Sequence, residues 1–174
     1  MIFQSAPRFI LTTLCFFLLT DFLPGQIYRF RNYGTESNLP DPVVHNLIQD
    51  ARGYLWIGTS AGLSRFDGFT FHREEFPDSS VNRYPSVSFR DNGGRIWFGC
   101  SDGTIFYSYD GDLKQAPVSG KSIIAEIVQG PDGFIYALPQ RQEVIKINPE
   151  STGECELFEL PGDPVVFTAS FTGT

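Results

Sequence analysis

The chain has 174 residues, with 15% aromatic and 19% charged residues, 17 glycines and 12 prolines. That length suits one ordinary domain or two small ones, and the mix is too apolar for a disordered chain and lacks the Ala/Glu/Lys/Leu bias of a helical bundle. The 13 basic residues against 20 acidic ones leave a net charge of -7, which would repel a phosphate backbone and argues against a nucleic-acid partner.

Residues 1–25 have the layout of a secretory signal. Arg8 supplies a thin positive start, Phe9 to Leu19 is an apolar run, and Pro24-Gly25 offers a break before Gln26. The run falls well short of the roughly 20 residues needed to span a bilayer, and Asp21 interrupts its end, so export is favoured over a retained anchor. Cys15 lies inside the run instead of at its end, which disfavours a lipoprotein signal. Arg8 and Asp21 cancel, so the charge outside this segment is still -7. Export would bring Cys100 and Cys155 into an oxidising compartment, where a disulfide and two buried thiols are both compatible with the sequence. No Cys/His set has metal-ligand spacing, and neither a metal nor a cofactor is expected.

From residue 39 onward the chain repeats itself. Asp50, Gly53, Trp56, Gly58, Ser60 and Gly62 recur as Asp91, Gly94, Trp97, Gly99, Ser101 and Gly103, each displaced by 41 residues. A weaker third copy, Gln129 to Leu138, keeps the turn glycine, the aliphatic and an aromatic (Tyr136), but has Leu138 where the others have Gly. Each copy predicts the same object. A short apolar strand (Val43–Ile48, Val87–Phe89, Ile123–Val128) leads into a four-residue turn, Asp50–Gly53, Asp91–Gly94 or Gly130–Gly133. An Asp side chain can bond the turn backbone there, and the closing Gly can take a positive φ. An aromatic-bearing strand follows (Tyr54–Gly58, Arg95–Gly99, Phe134–Leu138), then a third (Leu63–Phe66, Thr104–Tyr109, Val144–Ile147) closed by Asp67-Gly68, Asp110-Gly111 or Asn148-Pro149. A fourth strand fits Thr70–Glu75 or Glu156–Leu160. Four short strands per forty-odd residues make an all-β chain of β-propeller blades. The blades fall near 39–80, 81–120 and 121–160, with the start of a further one at 161–174.

Asn46 to Gly68, and above all Trp56-Ile57-Gly58-Thr59-Ser60-Ala61-Gly62-Leu63-Ser64-Arg65-Phe66-Asp67-Gly68, closely resembles the two-component regulator propeller repeat; Leu39 to Val44 resembles its lead-in. The resemblance is strong over 39–68, good over 84–111 and weak over 123–149. It implies the extracytoplasmic sensor region of a membrane-bound histidine kinase or hybrid regulator: tandem seven-bladed propellers, a β-sandwich, a membrane helix and a cytoplasmic output domain. It also implies a carbohydrate fragment or other small ligand. Partners would be the remaining blades and downstream domains of the same protein, with membrane attachment through a later helix and a periplasmic location. Any kinase activity would lie beyond this chain.

Several residues invite a sharper functional reading. Trp56 and Trp97 could stack on sugars, but they recur once per repeat at one strand position, as core residues do. Asp50, Asp91 and Asp132 could suggest calcium, yet each sits in its own turn without neighbouring carboxylates, which favours turn capping. Arg65 reads as a surface or inter-blade contact. His45 and His72 are the general-base candidates near neutral pH, but neither has a nucleophile motif beside it, and Glu74-Glu75 reads as a solvated strand end. No catalytic residue is therefore assigned; a secreted lyase or hydrolase and a protein-interaction propeller remain the alternatives. Asn46, Arg52 and Arg95 could line a ligand face. Propellers close with about four to eight blades, so three blades and the opening of a fourth predict a piece of a longer sensor.

Overall fold

The structure is a computed structural model that describes residues 30–77, 83–141, 143–151 and 155–159. The signal-like segment 1–25 and the start of a further blade at 161–174 lie outside the described residues. From Tyr33 onward the chain forms one unit.

Twelve strands make three four-stranded sheets, each an antiparallel meander. Blade 1 contains β1 (Val44–Gln49), β2 (Leu55–Thr59), β3 (Gly62–Phe66) and β4 (Phe71–Glu74). Blade 2 contains β5 (Pro85–Arg90), β6 (Ile96–Cys100), β7 (Thr104–Tyr109) and β8 (Asp112–Ser119). Blade 3 contains β9 (Ile124–Gln129), β10 (Ile135–Pro139), β11 (Glu143–Ile147) and β12 (Cys155–Glu159). The helical element among the described residues is a single 3-10 turn, Thr35–Ser37. The all-β blade architecture expected from the repeat is thus the one observed, and the three sheets do not close a ring.

One strand was not assigned from sequence. Blade 2 has an outer strand, β8, of eight residues, which contains Pro117 and four polar side chains. Its period is blurred because it is an edge strand, where a proline tolerates the missing N–H and one face meets solvent. The turn that launches it is explicit: Asp110 and Gly111 have φ of 56° and 95°, the two positive values of the tight hairpin turn whose twist matches that of its strands.

Blades stack face to face through apolar side chains. Trp56 and Leu63 of blade 1 meet Ile96, Phe98, Cys100 and Phe106 of blade 2 in one cluster. Trp97 and Ile105 of blade 2 join Ile124, Ile127, Ile135, Ala137, Ile145 and Ile147 of blade 3 in another. The two tryptophans are 1% and 0% exposed, so both fill inter-blade cores. Tyr33 of the lead-in packs edge-on against Phe66 and Phe71, 5.1 and 5.4 Å between ring centres, and covers the other face of blade 1 together with Leu39.

Inner strands carry the remaining blade-to-blade contacts. Each breaks register with its neighbour at one residue, His45, Ser86 and Ala125 respectively, a bulge repeated in every blade. The Asn46 side-chain amide donates to the Pro85 carbonyl at 2.8 Å. Ser86 Oγ lies 2.6 Å from the Ile124 carbonyl and 3.0 Å from that of Gly99. Gly99 is glycine because the next blade leaves no room: a Cβ there would lie 2.5 Å from Ile124 Cγ2 and 2.9 Å from Val87 Cγ1. Gly99→Ala should therefore destabilise the protein by about 1–3 kcal/mol, the usual cost of overpacking a core. Urea unfolding followed by tryptophan fluorescence should show a lower midpoint at unchanged slope; a midpoint equal to the native one would refute this account.

Candidate functional site

The first chemistry to locate is that of the turn aspartates. Asp50 Oδ1 accepts from the Arg52 and Tyr54 amides, both at 2.9 Å, and Oδ2 accepts the Trp56 indole N–H at 3.1 Å. Asp91 repeats this, with Arg95 N at 2.8 Å and Trp97 Nε1 at 2.9 Å. In blade 3 the Tyr136 hydroxyl takes the indole's place, donating to Asp132 Oδ2 at 2.7 Å. That bond lowers the Asp132 carboxyl pKa and raises that of the Tyr136 phenol. The turn carboxylates are thus spent on donors within their own blades. No group of three or more His, Cys, Asp or Glu among the described residues could hold a metal ion.

Cations lie over the aromatics of these strands. The Arg65 guanidinium sits 5.2 Å from the Tyr54 ring centre and 5.5 Å from that of Trp56, and pairs with Glu74 at 3.0 Å. Arg95 lies 5.6 Å over Trp97 and 5.4 Å over Tyr107, and it donates to the Pro149 carbonyl of blade 3. Lys146 lies 4.1 Å over Phe134. These contacts couple the rings to neighbouring strands and blades.

At the turn end, a cleft of about 160 Å3 opens between blades 1 and 2. Asp50, Ala51, Arg52, Trp56, Tyr109 and Asp110 are among the residues lining it. Arg52 rests 5.7 Å from the Tyr54 ring centre. Its Nη2 lies against Gly111, 2.4 Å from where a Cβ would stand.

At the opposite end, His45 stacks on Tyr84 with ring centres 4.4 Å apart and planes at 21°, and its Nε2 lies 2.9 Å from Ser60 Oγ. The fifteen-residue separation conceals this pair in the sequence, while the β1–β2 pairing creates it. No described carboxylate contacts the other ring nitrogen of His45 to orient it as a base. Ion pairs tie the adjoining segments together: Arg83 with Asp102 at 3.0 Å, and Lys121 with the buried Glu143 at 3.1 Å.

The candidate residues therefore occupy separate places. Asn46 bridges inner strands, Arg52 lines the cleft, and Arg95 joins blades 2 and 3. His45 and His72 stand on the inner and outer strands of blade 1, with two strands between them. Glu74 is engaged by Arg65, and Glu75 is exposed beyond the strand end. No disulfide joins Cys100 and Cys155. Cys100 belongs to the core between blades 1 and 2, and burial pushes its thiol up to about 12; Cys155 packs against the core between blades 2 and 3. The cleft had no signal in the sequence beyond the Asp110-Gly111 turn, because its walls come from different blades.

This geometry defines the class: blades of a β-propeller. The family model described as two component regulator propeller matches residues 38–61, which run from the lead-in through β1 and β2. Among solved structures, the extracellular domain of the one component system BT4673 from B. thetaiotaomicron is similar, at 19% identity over 79% of this chain with a TM-score of 0.66. A second structure, of the same extracellular domain described as that of a hybrid two component system, gives 18% identity over 79% of this chain and a TM-score of 0.65. The extracellular domain of the hybrid two component system BT3049 from the same organism gives 19% identity over 78% of this chain and a TM-score of 0.58. This chain spans 19%, 19% and 18% of those three chains, respectively. No curated protein matches it. The sequence resemblance is borne out: the chain carries a two component regulator propeller repeat on a propeller fold.

Two predictions follow the carboxylates. Asp91 is 6% exposed and holds a buried indole N–H, whereas Asp132 caps an exposed turn. Asp91→Ala should cost about 2–4 kcal/mol and Asp132→Ala about 1 kcal/mol, compared by thermal denaturation; equal losses would contradict the capping account. Asp67 Oδ1 accepts from Phe69 N at 2.8 Å and Thr70 N at 2.7 Å, and Oδ2 lies 3.1 Å from His72 Nε2. These bonds lower its carboxyl from 3.8 to about 2. A depressed folded-state pKa stabilises above the unfolded value, and that stabilisation is lost as pH falls. The Tm gap between the native protein and Asp67→Asn should hold constant above about pH 5 and shrink between about pH 4 and 2. A gap that ignores pH would rule the effect out.

Proposed function

We propose that this chain supplies blades of the exported, ligand-sensing propeller of a two-component regulator. The observation that carries the reading is the family match over 38–61 on a fold shared with extracellular domains described as those of hybrid two component systems. Blades suit the task because their turns converge at the two ends of each sheet, where a ligand can bridge neighbouring blades and bias a downstream element. On this reading residues 1–25 direct export, further blades complete the ring, and the kinase or regulator output lies elsewhere in the full-length protein. No helix among the described residues is long and apolar enough to cross a membrane. The family resemblance points to a carbohydrate fragment or another extracellular small molecule as the ligand.

The test uses the complete gene product in its own cell envelope, with a transcriptional reporter of its output. A panel of oligosaccharides and other small nutrients should include one class that raises output about tenfold and also raises the Tm of the purified sensor region, as a ligand selective for the folded state must. Silence in both assays across the panel would overturn the sensing reading.

A further inference from the structure

The cleft between blades 1 and 2 holds two opposite charges that the fold does not use. Asp50, on its wall, is saturated by the Arg52 and Tyr54 amides and the Trp56 indole. Arg52 and Asp110 are different. The Arg52 side chain has the Tyr54 ring as its partner and makes no hydrogen bond or ion pair among the described residues. The Asp110 carboxylate likewise has none. The two line one cleft, yet they do not pair with each other. Separate constraints hold them: Arg52 is laid between the Tyr54 ring and Gly111, and Asp110 is locked in a left-handed turn conformation at φ 56°.

We propose that this cleft binds a small zwitterion of the α-amino-acid class, its carboxylate on the Arg52 guanidinium and its ammonium on the Asp110 carboxylate. A guanidinium offers a planar fork matched to a carboxylate, and a carboxylate accepts from an ammonium. Charge balance excludes a simple anion: Glu74 neutralises Arg65 at 3.0 Å, so Asp50 and Asp110 together outweigh Arg52. Size excludes an oligosaccharide: about 160 Å3 lies well below the roughly 300–1,000 Å3 of pockets for drug-sized ligands. Tyr109, 57% exposed and backed by Arg95 at 5.8 Å, supplies an apolar wall. Trp56 is too deeply buried for a sugar to stack on its face.

The proposal deepens the sensing reading and rests on it, and the experiment separates the two. The full-length gene product is titrated by calorimetry with individual L-amino acids, then with the deaminated acid and the decarboxylated amine of the best binder; the reporter is read in parallel. One amino acid should bind, with both truncated analogues at least about tenfold weaker. Arg52→Gln and Asp110→Asn should each weaken binding by about tenfold or more while Tm stays within a few degrees of the native value, since Asn also tolerates the left-handed turn. Equal binding of the deaminated acid, native affinity in either variant, or no binding by any amino acid would overturn the proposal. If oligosaccharides drive the reporter and amino acids do not bind, sensing stands and the zwitterion site falls. If an amino acid binds as described but neither it nor any other ligand moves the reporter, the site stands and the sensing reading falls.

Discussion

A carboxylate in each inner turn ties two structural levels together, and the three blades are organised around that tie. One oxygen satisfies turn amides that would otherwise lack partners; in blades 1 and 2 the other accepts the indole N–H of a tryptophan two strand residues beyond the turn. Burying an indole without a partner for its N–H is costly, so the aspartate lets a large ring face the next blade. Blade 3 shows what the arrangement tolerates. Tyr136 brings its own hydroxyl to Asp132, and Lys146 crosses from the adjacent strand to both. Both partners shift, since Gly130 stands where blades 1 and 2 have Asp50 and Asp91 and the carboxylate comes from Asp132 two residues later. A turn carboxylate still holds the strand aromatic.

The rings set by these ties determine how blades meet. Trp56 and Trp97 fill successive inter-blade cores, and glycine at the strand end beside Trp97 lets the following inner strand approach to van der Waals contact. The inner-strand bulges then place His45 and Ser86 at the start of their strands, where Ser86 reaches across to the next blade. Packing and hydrogen bonding thus run in the same direction, from each blade to the one after it. The lead-in takes the corresponding position on blade 1 through Tyr33 and Leu39.

Charge follows a similar logic with one departure. Arg65, Arg95 and Lys146 each lie over an aromatic and also have a carboxylate or carbonyl partner. Arg52 has the ring alone and borders a cleft that it shares with an uncommitted aspartate. A chain with a net charge of -7 has ample carboxylates to neutralise a surface arginine, yet none among the described residues pairs with Arg52.

Local pattern and long-range packing divide what could be read in advance. The period between Asp50 and Asp91, the Asp-Gly turns and the alternation of apolar residues were legible because each depends on a few adjacent residues, and they determined the blade as the repeating unit. The tryptophans read correctly as core for the same reason. Outer strand β8, the bulges at His45, Ser86 and Ala125, the His45–Ser60 contact and the cleft were not legible. Each depends on which residues the sheet pairing or the next blade brings opposite, and an edge strand carrying Pro117 has no period to betray it. The sequence by itself determined turns, strands and repeat, because backbone conformation and side-chain alternation are local properties. Only the tertiary structure decided where blades touch and which charges are left unpaired there, because those sites join residues about forty to sixty positions apart.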